Sequence, residues 1–279
     1  MSALRPAWSE QFDAATLRAV RALPPELLTR AGALGDPADA GRNIDVAIVD
    51  SGIEADNSRV GEVHTSVALS VDPAIDGGLR IDEGAGDAFG HGTACAGIVR
   101  SVAPACRLHS VRVLGERLTG KGTVFAAGLR HAIRMGSHVV NLSLSTANDA
   151  HALALHELAD EAAHRGVVLV CAVSNTSKQS LPSTYSSVIS VAAHAGTDPE
   201  RWSWNPSPPV EVGAPGIDID VAWLGGTSVT VTGNSFAAAH VSGIVARILG
   251  NHPGLTPFQI KTVLHALADN AIGRDEAAQ

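Results

Sequence analysis

Short runs of β-branched apolar residues recur along this 279-residue chain, with helix-periodic segments between them. Ile44 to Val49 (IDVAIV), Val111 to Leu114, Val139 to Leu142 and Val167 to Val173 are the kind of run that fills a strand covered on both faces. Val124 to Met135 and Ala150 to Arg165 read as helices between them. Parallel neighbours require crossovers, so this order restricts the chain to an α/β fold, a mostly parallel sheet with helices on both faces. With 45% apolar side chains, it can bury one large core as a single domain.

Three segments carry chemistry at the ends of such elements. The first strand ends in Asp50, followed by the turn signal Ser51-Gly52. An acid there lies where open α/β sheets place their ligand crevice, although it also reads as a turn cap. His91 stands between two glycines and opens the small-residue run Thr93-Ala94-Cys95-Ala96-Gly97, a helix packed closely on its neighbours. The positive end of that helix favours the neutral imidazole a general base needs, while a capping or packed core histidine is the plainer alternative among twelve histidines. Ser235 follows Gly233-Asn234 and precedes an apolar helix with Val241, Ile244, Val245 and Ile248 at helical spacing. First-turn amides there stabilise developing negative charge; an N-cap serine is the alternative.

The three together resemble the signature of the subtilisin-type serine peptidases, the subtilases. The chain order Asp, His, Ser is that of subtilisin and not of chymotrypsin or the α/β-hydrolases. IVDSG (Ile48 to Gly52) resembles the family's Asp motif and HGTACAG (His91 to Gly97) its His motif. GNSFAAAHVSG (Gly233 to Gly243) is similar to the usual Gly-Thr-Ser-Met-Ala-x-Pro-His-Val-Ala-Gly. Similarity runs from about Arg42 to about Ala268 and takes in VVNLSLS (Val139 to Ser145), LVCAVSN (Leu169 to Asn175), LPSTYSSVISVAA (Leu181 to Ala193) and EVGAPG (Glu211 to Gly216). It implies a subtilisin-like three-layer fold and acyl transfer by Ser235, with His91 as base and Asp50 orienting the imidazole. It assigns oxyanion donors to the Asn175 side chain and the Ser235 N–H. An extended peptide is expected as an added strand beside Ser143-Leu144-Ser145 and the stretch Thr119-Gly120-Lys121-Gly122, where glycines permit close backbone approach.

Departures bear on substrate preference and turnover. Asn234 stands where the family usually has Thr, and Ala239 where it has Pro. Ser174 replaces the glycine before the oxyanion asparagine, adding a side chain at a wall of the primary specificity pocket. The loop that wraps a calcium ion in many subtilases is missing after Ser101, so that site is expected to be absent, and no cofactor or metal is assigned. The acidic stretch Asp82 to Asp87 reads as a flexible solvated loop. His240, one turn into the serine helix, is expected to be buried and structural, and the resemblance suggests a cis Leu181-Pro182 bond. Trp202 to Pro209 reads as a surface loop and a candidate partner contact.

A net charge of −8 and no basic stripe with interleaved aromatics argue against a nucleic-acid partner. No apolar run approaches the ~20 residues of a membrane span. Cys95, Cys106 and Cys171 form no disulfide framework. Cys95, one helical turn after His91, should sit beneath the imidazole as a reduced thiol, with mercurial sensitivity as a consequence. With no secretory signal, this cysteine usage points to the cytoplasm. Residues 1–41 read as a segment packing on a catalytic domain of residues 42–269, with an amphipathic helix over Ser9 to Leu23; residues 270–279 read as a polar tail. A full prodomain is not expected in this segment: either the chain folds unaided or a prodomain has been removed, and Met1 favours the former. The expected function is therefore a serine endopeptidase dedicated to maturation of a precursor peptide. The alternatives are a catalytically silent peptide-binding module and a peptide cyclase using the same acyl-enzyme. The sequence fixes no oligomeric state.

Overall fold

The computed structural model describes residues 7, 9–20, 22–75 and 78–272. The apolar runs become the centre of a nine-stranded sheet. Its strands are β1 (Asp45–Asp50), β2 (Val63–Val71), β3 (Leu79–Glu83), β4 (Arg107–Arg112), β5 (Val139–Leu142), β6 (Val168–Ala172), β7 (Ile189–His194), β8 (Ser203–Trp204) and β9 (Val212–Pro215). They lie in the order β3-β2-β4-β1-β5-β6-β7-β9-β8. Seven are parallel, and the antiparallel β3 and β8 form the edges. A separate antiparallel hairpin joins β10 (Ile219–Trp223) to β11 (Thr227–Val231).

Period-two alternation explains why the central strands read as continuously apolar. In β1, Val46 and Ile48 enter one buried cluster while Ala47 and Val49 enter the other. The first cluster is covered by α2 (His91–Val102) and α5 (Asn234–Asn251), with α1 (Arg30–Leu34) and α6 (Pro257–Ala266) beyond them. The second is covered by α3 (Gly122–Arg134) and α4 (Ala152–His164). The result is a three-layer α/β/α arrangement. Ser235 to Leu249 of α5 are all buried, which fits a largely apolar helix enclosed by protein, with Ser235, His240, Ser242 and Arg247 its buried polar members. No helix among the described residues is long and apolar enough to cross a membrane.

Several expectations change. The strand expected at Val111 to Leu114 occupies Arg107–Arg112. Its polar first half hides it from a hydrophobicity pattern, because His109 is buried by pairing with Thr65 (2.8 Å) and Asp45 (2.9 Å). Among the described residues of Ser9 to Leu23 the expected amphipathic helix does not form: only Ser9–Phe12 makes a 3₁₀ turn there, and Phe12 and Val20 are 74% and 89% exposed. An isolated apolar stripe has no packing partner to stabilise a helix. The N-terminal segment meets the core from Leu27 onward, with Ala33, Leu34 and Ala40 buried. Met1, invoked above for unaided folding, lies outside the described residues.

The Trp202 to Pro209 stretch is a surface loop only from Asn205 onward, where residues 205–209 are irregular and exposed. Trp202 is fully buried, donates its indole N–H to the Leu264 carbonyl (2.7 Å) and lies under the Arg30 guanidinium. Asn270 was expected to begin a polar tail, yet it pairs with both main-chain groups of Trp204 (2.7 and 2.8 Å); residues 273–279 lie outside the described residues. Asp82 to Asp87 is a solvated loop only at its centre, where Gly84 and Gly86 are exposed and outside any regular element. Asp82 and Glu83 belong to β3, and Asp87 accepts hydrogen bonds at the start of α2. The Leu181-Pro182 peptide is cis, and His240 is buried with Nδ1 donating to the Pro215 and Phe236 carbonyls.

Candidate active site

The candidate residues collect at the carboxyl ends of β1, β4, β5 and β6, where the strand order switches direction about β1. Asp50, the last residue of β1, is fully buried. Its two oxygens lie 2.8 and 2.9 Å from Nδ1 of His91, the first residue of α2. Ser51 N also donates to Asp50 Oδ1 (2.7 Å). Nδ1–H pointing at the carboxylate fixes the tautomer that leaves the Nε2 lone pair free to accept a proton. Burial pulls the imidazole pKa down, yet the Asp50 charge and hydrogen bond, with a contribution from Asp87, outweigh it and hold the net value above the ordinary histidine value. The helix terminus alone would favour the neutral ring; the buried carboxylate is the stronger influence.

Ser235 is the second residue of α5, so its N–H is one of the first-turn amides without an intrahelical acceptor. Its hydroxyl donates to the Ser143 carbonyl (3.1 Å). A polar network beneath it holds the Ser235 backbone: Asn141 Nδ2 donates to Ser143 Oγ (2.9 Å), which donates to the Ser235 carbonyl (3.1 Å), and Ser242 Oγ donates to Asn141 Oδ1 (3.0 Å). Cys95 lies next to this network, with Sγ 3.3 Å from Ser143 Oγ. Asp50, His91 and Cys95 place ligand-type atoms within 4.8 Å of one another, so the thiol does lie against the Asp–His pair. Burial raises its pKa well above the usual thiol value and keeps it protonated.

Asn175 leaves the sheet just after β6. Its Oδ1 accepts from Asn234 N (3.0 Å), which directs Nδ2 away from that contact. Asn234 itself ties three segments together. Its Nδ2 donates to the Val173 and Ser174 carbonyls (both 3.1 Å), and its Oδ1 accepts from Ala193 N (2.9 Å). From sequence Asn234 is only a departure from the family's Thr; in the structure its amide fixes the loop bearing Asn175 to the mouth of α5. The one signal available was a primary amide beside the candidate nucleophile.

His91, Ser235 and Asn175 line one cavity of about 420 Å³ together with Gly120, Gly122, Ser143, Leu144, Ser145 and Ser174. Asp50 stands behind His91. Leu114, Leu118 and Phe125 give the cavity an apolar side. The Ser174 hydroxyl is 2.8 Å from Thr176 Oγ1 and accepts from Thr176 N, so it is engaged within its own loop. The close approaches expected at the two glycines are intramolecular: a Cβ on Gly120 would meet the Val113 carbonyl, and one on Gly122 the His151 ring. A larger groove of about 670 Å³ lies away from this chemistry, and Arg100 on its wall spends its donors on the Val60, Glu62, Pro104 and Cys106 carbonyls.

The family description "Subtilase family" matches residues 41–278. The chain is 31% identical over 232 residues to the thermostable alkaline protease of Halalkalibacterium halodurans, covering 78% of this chain and 63% of that protein. It is 30% identical to subtilisin DY of Bacillus licheniformis, covering 78% of this chain and 86% of that one. With subtilisin E of Bacillus subtilis it shares 30% identity over 86% of this chain and 64% of the relative. Thus the chain spans less than two thirds of the length of some of these relatives. A cold adapted subtilisin-like serine proteinase superposes with a TM-score of 0.68 at 26% identity, covering 83% and 84% of the two chains. Sphericase, at 23% identity, has a TM-score of 0.69 over 81% and 83%, a likeness of fold.

Proposed function

The chain belongs to the subtilase family, and from that premise we propose that it is a serine endopeptidase working through Ser235, His91 and Asp50. The observation that carries this reading is the buried Asp50–His91 pair at the rim of a cavity also lined by Ser235 and Asn175. On rotation from the Ser143 carbonyl, the Ser235 hydroxyl gives its proton to His91 Nε2 as Oγ attacks the peptide carbonyl; such contacts tighten when substrate is bound. Asn175 Nδ2 and the Ser235 N–H hold the oxyanion. Loss of one such donor costs roughly 10²–10³ in kcat, a magnitude measured within this family. The imidazolium, held by Asp50, protonates the leaving amine, and water then releases the acyl group by the same route in reverse.

The substrate lies extended against 119–122 and 143–145, with Leu114, Leu118, Leu144 and Phe125 receiving an apolar side chain. Three buried thiols without a disulfide support a reducing compartment, hence a cytoplasmic enzyme. The polar loop at Ser174 to Thr176 supports a selective first subsite and with it the maturation of a particular precursor peptide. Fluorophosphonate labelling tests the reaction class. Modification at Ser235 that disappears in His91→Ala supports it, and a folded protein that stays unlabelled refutes it. Mass spectrometry of products from a peptide library then separates cleavage from cyclisation and reads the preference.

A further inference from the structure

Four residues before His91, one carboxylate gathers an unusual number of donors. Asp87 Oδ1 accepts from Ser51 Oγ (2.8 Å), Phe89 N (2.9 Å) and Gly90 N (2.9 Å). Its Oδ2 accepts from Thr93 N (2.9 Å) and Thr93 Oγ1 (2.6 Å). A helix N-cap satisfies one or two first-turn amides from within the local chain. Here the group also reaches across to the end of β1, where Ser51 completes a closed circuit. Ser51 Oγ accepts from Gly92 N (3.0 Å), and Ser51 N donates to Asp50 Oδ1 (2.7 Å). Ala88 N donates to the Ser51 carbonyl (2.9 Å). Ser51, which follows Asp50, and Gly90 and Gly92, which flank His91, are thereby tied to the same anion, Gly92 through the Ser51 hydroxyl.

We propose that Asp87 is a positioning residue for the Asp50–His91 pair, locking the exit of β1 to the first turn of α2 so that the imidazole keeps its orientation through turnover. The inference rests on the triad reading above. Charge-assisted bonds to all five donors hold this junction more tightly than neutral ones. An amide cannot replace the carboxylate, because either flip of an Asn sets an NH₂ group against donors on one side. The charge itself also acts on the ring. The titratable groups facing His91 are Asp50 from β1, Asp87 from the loop before α2, and the protonated Cys95 from α2; the α5 side presents the Phe236 ring. Both carboxylates favour the imidazolium, and no cation among the described residues opposes them there.

The test uses the full chain with Asp87→Asn and, separately, Ser51→Ala, which breaks the circuit without changing charge. Turnover of a chromogenic peptide is normalised to sites titrated with fluorophosphonate. In both variants kcat should fall about 10- to 100-fold with KM little changed, the scale expected when reacting groups are misplaced by about an ångström. Only Asp87→Asn should also move the acid limb of kcat/KM to lower pH. The downfield Nδ1 proton of His91 in NMR should be present in the parent and broadened or lost in both variants. Parent kcat, parent acid limb and an intact Nδ1 resonance in a folded Asp87→Asn protein would make Asp87 a helix cap and overturn the inference. If Asp87→Asn does not fold, Ser51→Ala with parent kcat and resonance overturns it equally. A parent that takes no label fails the triad reading instead, and the His91 resonance still decides the role of Asp87.

Discussion

Adding one methyl group at Gly92 should cost this site about two orders of magnitude in turnover. A Cβ built there lies 2.0 Å from the Gly52 carbonyl oxygen and 3.2 Å from Asp50 Cβ, so the start of α2 and the end of β1 must separate by about 1 Å to clear 3.0 Å. Gly52 cannot yield on the far side, because its own Cβ position lies 2.4 Å from the Gly86 carbonyl oxygen and its φ is +112°. The displacement therefore falls on the segment that sets His91 against Asp50, and a misplacement of about 1 Å costs roughly 10²-fold, or about 2.7 kcal/mol of transition-state stabilisation. Overpacking adds about 1–3 kcal/mol of destabilisation, or roughly 2–10 °C in Tm for a domain of this size. Steady-state kinetics of Gly92→Ala, referred to fluorophosphonate-titrated sites, should show lowered kcat with KM near the parent value. Gly213→Ala is the control, since its added methyl meets only His194 Cδ2 at 3.5 Å. Should Gly92→Ala titrate fully and turn over within threefold of the parent, the steric argument is wrong.

The acid limb of kcat/KM should lie above the ordinary histidine pKa of about 6.5, because Asp50 outweighs burial at His91 and the base must be neutral to act. In Asp50→Asn that limb should shift to lower pH while kcat falls about 10⁴-fold, as pH–rate profiles of the two proteins will reveal. Asn175→Ala should lower kcat roughly 10²–10³-fold and leave KM near its parent value, which an unchanged kcat would contradict. Stability should respond to pH through His240 and His109, whose folded pKa values are depressed by burial. For such groups the unfolded chain binds the extra proton, so their contribution is complete above about pH 6.5 and is lost as pH falls below it. Urea midpoints at pH 7.5 and 5.5 should differ less in His240→Gln than in the parent.

Much of this architecture is legible along the chain, for reasons that are local. β1, β5 and β6 are apolar on both faces, so a continuous run marks each of them. The starts of α2 at His91 and of α5 at Asn234 each follow a glycine and lead into a small-residue run. Where burial is achieved by pairing polar groups, the pattern falls silent. Three of the first four residues of β4 are Arg107, His109 and Ser110, and the Thr65 and Asp45 contacts explain why His109 sits inside. The converse error occurs at Ser9 to Leu23, where helical periodicity exists without a surface to pack upon.

By itself the sequence determined the α/β class and the strand ends that offer side chains to a crevice, and it nominated an acid, an imidazole and a hydroxyl for acyl transfer. These follow from burial period and residue chemistry within a few positions. Only the tertiary structure decided how groups distant along the chain meet. Asp50 and His91, 41 residues apart, share a hydrogen bond; Asn175 and Asn234, 59 apart, secure each other; and Ser143, 92 residues before Ser235, holds its hydroxyl. Asp87 changes from a solvated acid to the anchor of α2 for the same reason. Hydrogen bonds are directional and short, so which donor reaches which acceptor depends on the packing of whole layers, and no local pattern of residues encodes it.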